Sequence, residues 1–145
     1  MLVAYYTKGS DSHHLYDSLK ISKMNDYETH LNKHNVIHMN MQNFLSNSKS
    51  MEQFISLLSR LIIRDLKRTY KDVDYFDDTN LQFSSMDVYH EKNKRFIFII
   101  DEWDCLFREF KTDEEAQRQY LDFLRDLFKD QKYVEMVYMT GILPV

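Results

Sequence analysis

The chain has 145 residues, 43% of them hydrophobic and 29% charged, with a formal net charge of −4. That length supports a core burying roughly 70% of the extended chain's surface, and ten Phe, ten Tyr and one Trp exclude wholesale disorder. Two glycines stand where average usage places about ten, so no glycine-rich phosphate loop exists within these residues, and the negative balance argues against nucleic acid as the main partner, a local basic stripe aside.

Short helices are predicted over about 12–19 and 24–33, and an apolar run over 36–41 reads as a strand. Ser50-x-x-Gln53 is a capping box, each side chain serving an orphan amide of the first turn. Behind it Phe54, Ile55, Leu58, Leu61, Ile62 and Leu66 recur at helical spacing, with Lys67 and Arg68 suited to the carboxyl end of the dipole. The stretch 70–79 carries four aspartates and reads as a solvated loop. A helix over about 81–92 turns Leu81, Ser85, Val88 and Tyr89 inward. Residues 96–100, Phe-Ile-Phe-Ile-Ile, are continuously apolar, as in a strand covered on both faces. Thr112-x-x-Glu115 is a second capping box, opening a helix with Ala116, Tyr120, Phe123, Leu124 and Leu127 on one side. A last strand covers about 134–140.

Strands separated by helices require crossover connections, hence parallel pairing in an α/β layered fold. Three strands are few for such a sheet, so residues 1–145 read as one incomplete domain. The longest strongly apolar stretch is far short of the roughly 20 residues that span a bilayer, so no membrane is expected. The single Cys105 excludes an internal disulfide and fits a reducing, cytoplasmic setting.

The chemistry concentrates where the central strand ends, at Asp101-Glu102-Trp103-Asp104. A buried strand ending in Asp-Glu sets two carboxylates at the carboxyl edge of a sheet, where open α/β folds bind ligands. In P-loop ATPases this is the Walker B element, whose aspartate serves magnesium and whose glutamate polarises the attacking water. The same pattern also reads as an acidic strand terminus solvated by its loop. A third reading makes Asp101, Glu102 and Asp104 a metal cluster of a magnesium-dependent phosphohydrolase or nuclease. Thr140, before Gly141, puts a small hydroxyl at the end of the last strand.

Other signals are weaker. His30, His34 and His38 are spaced by four, but no Glu accompanies them as in His-Glu-x-x-His, and His38 falls in a strand. Arg60, Arg64, Lys67, Arg68 and Lys71 form a basic stripe, read as a solvated face or as a contact for a phosphate-rich partner. Cys105 and Trp103 read as packing residues before a nucleophile or a base platform.

Three runs together, 96–104, 120–126 and 138–144, resemble the AAA-ATPase-like family of bacterial P-loop proteins. The runs 2–9, 15–20, 32–37 and 40–45 fit the same family, with 2–9 similar to the end of the helix that follows its P-loop. The likeness covers nearly the whole chain. It implies Asp101 as the magnesium residue, Glu102 as the catalytic carboxylate and Thr140 as the sensor of the nucleotide's γ-phosphate, with Mg²⁺ and ATP as ligands of the complete protein. It also implies three contiguous strands, 36–41 beside 96–100 beside 134–140. The family's Gly-x-x-x-x-Gly-Lys-Ser/Thr is not among these residues, so the chain reads as a central piece of an ATPase module, inactive alone, with a non-catalytic interaction module as the alternative. The P-loop strand would flank the last strand. Without it an apolar edge is left unpaired, through which a homodimer is expected; a sharply monomeric mass by light scattering at high concentration counts against that.

Overall fold

The computed structural model describes residues 1–142. Three parallel strands form an open sheet in the order β1 (Asn35–Asn40), β2 (Phe96–Asp101), β3 (Val134–Met139). The α/β class, the parallel pairing and the strand order therefore agree with the reading of the sequence. In register, Val36 faces Ile97 and Ile97 faces Met136. Between Phe96 and Ile97 the pairing with β3 jumps from Val134 to Met136, so Glu135 is an extra residue, a β-bulge.

Five of the six β2 residues are buried, which a central strand requires when side chains alternate across two covered faces. Phe96, Phe98 and Ile100 join the main core, against helices α5 (Met51–Thr69), α6 (Leu81–Lys92) and α8 (Glu114–Phe128). Phe98 is fully buried, with its ring centroid 5.0 Å from that of Phe128 and 6.3 Å from that of Tyr133. Phe54 of α5 meets Tyr120 of α8 edge-on at 5.9 Å. Ile97 and Ile99 are buried on the opposite face, where Tyr138 is 43% exposed and His38 lies open.

The helix starts follow from their caps. Ser50 accepts the Gln53 amide at 3.2 Å, while the Gln53 side chain reaches back to the Lys49 amide at 3.0 Å, one residue before the cap. Asn80 caps α6, and Asn93 ends it in the left-handed conformation at φ 51°. Asp113, not Thr112, caps α8, accepting the Ala116 amide at 3.0 Å. A carboxylate there satisfies the same orphan amide as a hydroxyl and adds a favourable charge at the dipole's positive end.

Three further differences are local. The first strand stops at Asn40 rather than Met41, because the Asn40 side chain accepts the Asn43 amide and starts a short helix, α4 (Met41–Leu45). The expected helices over 12–19 and 24–33 shrink to α2 (His13–Tyr16) and α3 (Tyr27–His30), with a 3-10 turn at Lys20–Lys23 between them. With α1 (Leu2–Tyr6) they enclose a small second cluster of Tyr5, Tyr16, Tyr27 and Leu31. Asn32 closes it from a left-handed backbone at φ 57°, its amide donating to the Ala4 carbonyl at 2.8 Å and to the Ser12 hydroxyl at 2.9 Å. Finally, the aspartate-rich stretch is exposed but pinned to α6: Asp87 accepts the Phe76 amide, Glu91 accepts the Asp74 amide, and Lys92 pairs with Asp72.

Phe98 joins the aromatic layer at the centre of the sheet, so Phe98→Ala is expected to cost about 3–5 kcal/mol, the range for emptying a fully packed aromatic site. Urea unfolding followed by circular dichroism measures it.

Candidate functional site

The carboxyl ends of the strands converge on Asp101. The ladder between β2 and β3 continues one step beyond the strands: the Thr140 amide donates to the Ile100 carbonyl at 2.8 Å, and the Trp103 amide donates to the Thr140 carbonyl at 3.0 Å. These backbone bonds set the Thr140 hydroxyl beside the carboxylate, and its Oγ1 donates to Asp101 Oδ1 at 2.8 Å. From the other neighbour, His38 Nε2 lies 2.7 Å from Asp101 Oδ2. His38 shares a sheet face with Asp101 because both alternate in phase with Ile97 and Ile99. The hydrogen bond from His38, followed by that from Thr140, holds the Asp101 carboxyl below the usual carboxylate range, since both favour the ionised form.

Glu102 departs from the strand. Its φ of 57° is left-handed, uncommon for a residue with a side chain. The turn that follows holds it there: the Cys105 amide donates to the Glu102 carbonyl at 3.1 Å and Trp103 is tied to Thr140. This reversal swings the Glu102 carboxylate away from Asp101 to pair with Arg108 Nη2 on α7 (Cys105–Glu109).

Asp104 is fully buried. Its Oδ2 accepts the Ile142 amide at 3.0 Å and lies 3.9 Å from Arg108 Nε. A Cβ at Gly141 would stand 2.5 Å from Asp104 Oδ1 and 2.9 Å from Trp103 Nε1. Gly141 is thus required for the close passage of the chain over the buried carboxylate. Tyr120 completes the support, donating its hydroxyl to the Trp103 carbonyl at 2.8 Å.

The structure therefore joins Asp101 and Thr140, and places Glu102 next to them in sequence but facing Arg108. The three carboxylates do not form the cluster that the phosphohydrolase reading needs. Asp101 faces His38 and Thr140, Glu102 faces Arg108, and Asp104 faces the Ile142 backbone. Among the described residues, no group of three His, Cys, Asp or Glu side chains is placed to hold a metal ion by itself. Cys105 is buried, and burial raises its thiol to about 11, so the thiolate is scarce at neutral pH and the packing role holds. Trp103 packs edge-on to Phe107 at 5.6 Å. His30 and His34 stack at 5.2 Å, and His34 Nδ1 meets Glu135 at 3.0 Å rather than His38.

Sequence reasoning missed His38 and Arg108 as members of the site. The signal for His38 is its place in an edge strand two residues before that strand's end. Arg108 stands six residues after Glu102, a reach that only the reversal at Glu102 allows.

Substituting Gly141→Ala forces a methyl group into Asp104 and the Trp103 ring, and should destabilise the protein by about 1–3 kcal/mol, as overpacking typically does. Thermal unfolding, compared with that of Gly9→Ala, where a Cβ meets nothing within 4 Å but φ is 83°, separates a clash from backbone strain.

A family model, AAA-ATPase-like, described as "Predicted AAA-ATPase", matches residues 1–145, the whole of the sequence. No curated protein and no solved structure matches the chain. Leu143 and Pro144, part of one run that carries the resemblance, lie outside the described residues. Among the described residues no helix is long and apolar enough to cross a membrane.

Proposed function

The chain belongs to the AAA-ATPase-like family, and from that premise we propose that residues 1–145 supply the Walker B and sensor part of an ATP-hydrolysing site. Asp101 is the magnesium residue, Glu102 the catalytic carboxylate and Thr140 the sensor. The observation that carries the reading is the 2.8 Å hydrogen bond from Thr140 to Asp101, a hydroxyl and a carboxylate brought together from neighbouring strands at the carboxyl edge of a parallel sheet.

These donors suit magnesium, a hard cation that keeps several waters and takes one or two carboxylates. Bound Mg-ATP would supply the phosphoryl group to be transferred and a metal to offset its charge. Asp101 stays ionised through its two hydrogen bonds and so presents a full negative charge to the cation. Thr140 can exchange its bond to Asp101 for one to a phosphate oxygen. Glu102 is engaged by Arg108 in this arrangement, and it must leave that partner before it can orient and deprotonate a water. Trp103, packed edge-on against Phe107, is the large side chain next to these carboxylates.

These residues contain no Gly-x-x-x-x-Gly-Lys-Ser/Thr run. On this reading the backbone cradle and lysine for the triphosphate come from outside them. The same reading leaves β3 as an open edge, suited to the missing strand or to a second copy.

Glu102→Gln in the full-length protein should lower kcat for ATP hydrolysis about 100-fold or more while leaving nucleotide binding intact, and Asp101→Asn should weaken the dependence on magnesium. Unchanged turnover in Glu102→Gln overturns the assignment. Calorimetry of the 145-residue chain with Mg-ATP should show nothing tighter than about millimolar, roughly −4 kcal/mol; micromolar binding abolished by Asp101→Asn would mean that the site is complete without an outside cradle.

A further inference from the structure

We propose that the outer face of α5 is a docking surface for single-stranded nucleic acid, at a site separate from the Asp101 cluster and independent of the reading given to it. The apolar side of α5 is committed inward through Phe54, Leu58, Ile62 and Leu66. Its outward side carries Arg60, Arg64 and Arg68 at intervals of one turn, joined by Lys67 and, just past the helix, Lys71, all exposed. Four residues advance about 6 Å along a helix, so the three arginines form a straight row of cations.

These five side chains line one shallow groove of about 540 Å³, floored by the buried Ile63. A solvated face has no need of such convergence. Two aspartates moderate the charge: Asp65 lies 3.5 Å from Arg64 and 3.9 Å from Arg68, and Asp78 pairs with Lys67 at 2.7 Å. Arg60 and Lys71, at the two ends, enter no ion pair among the described residues, and the groove is lined by five cations and the single carboxylate of Asp78 in a chain whose net charge is −4. A row of cations of this kind fits a backbone that carries regularly repeated phosphates.

The second observation concerns the segment that follows Lys71. Phe76 is 82% exposed, the most exposed large hydrophobic side chain among the described residues, yet it does not dangle. Its amide donates to Asp87 at 3.0 Å and its ring stands edge-on to that of Phe83 at 5.9 Å. The preceding residue, Tyr75, has its ring 5.8 Å from Lys67 Nζ, which ties this aromatic corner to the basic row. An open aromatic ring, one residue from the tyrosine that meets Lys67, together with a row of cations is a combination suited to single strands: phosphates follow the charges while an unpaired base stacks on the ring. A duplex keeps its bases paired and offers no face to Phe76. An anionic bilayer would use the charges alone and leave the Phe76 ring without a base to stack on it.

Fluorescence anisotropy with a labelled 20-nucleotide oligothymidylate tests the proposal on the intact chain. Binding should be salt-dependent and at least tenfold tighter than to a duplex of equal length. The triple variant Arg60→Ala, Arg64→Ala, Arg68→Ala should weaken it tenfold or more and reduce the slope of log K against log salt by about two, as the loss of three phosphate contacts requires. Phe76→Ala should weaken it about tenfold with the slope unchanged. All four positions are exposed, and unaltered circular dichroism confirms folding in the variants. Absence of binding at 50 mM salt, binding indifferent to the triple variant, or preferential binding to phosphatidylserine vesicles would each overturn the proposal.

Discussion

Asp101 stands where a strand without an exposed residue before it reaches the surface, and its carboxylate is held on both sides by the strands that flank it. Thr140 donates from β3 and His38 meets it from β1. The arrangement depends on register, because side chains alternate across a sheet and a slip of one residue in either neighbour would turn its polar group to the opposite face. The apolar core beneath β2 enforces that register: Phe96, Phe98 and Ile100 fit against α5, α6 and α8 in one phase only. Hydrophobic packing on one face thereby fixes a polar constellation on the edge, and the geometry at Asp101 is inherited from contacts made at Phe98.

The order beyond β2 works differently, through backbone reversal rather than packing. Glu102 takes a left-handed conformation, and from that point the chain enters a turn in which Asp104 is buried and Gly141 passes over it. A strained residue of this kind persists only where its surroundings over-determine it. Here the bonds from Trp103 to Thr140, from Cys105 to Glu102 and from Tyr120 to Trp103 do so. Two carboxylates adjacent in sequence therefore acquire different partners and different freedom, one tied into the sheet and the other held by an arginine on a short helix.

Much of this was legible in the sequence, for identifiable reasons. The continuous apolar run of β2 matches a doubly covered strand, and the amphipathic spacing of α5 and α8 survived because tertiary packing used the faces the pattern implied. Boundaries were lost where one residue had two competing uses. Asn40 extends a strand by pattern but caps a helix in fact, and Thr112 was passed over for Asp113, whose charge suits the same amide better. Asp101 and Thr140 were legible as strand ends, whereas His38 and Arg108 were not, since their distances to the site depend on inter-strand register and on a reversal of the chain, neither of which leaves a periodic trace.

The bulge in β3 carries a consequence in simple parity. Phe96 lies opposite Val134, so an unbroken ladder would bring Met139 opposite Asp101 and leave the threonine hydroxyl one rung too far, on the wrong side of the sheet. The extra residue, Glu135, advances the rest of β3 by one position, so that Ile100 faces Met139 and Thr140 arrives in phase with the aspartate. A single inserted residue at the amino end of the strand, some five rungs from Asp101, thus sets which side chain the carboxyl edge presents, and a one-residue length change between Tyr133 and Thr140 would replace a hydroxyl with a thioether or a bare backbone.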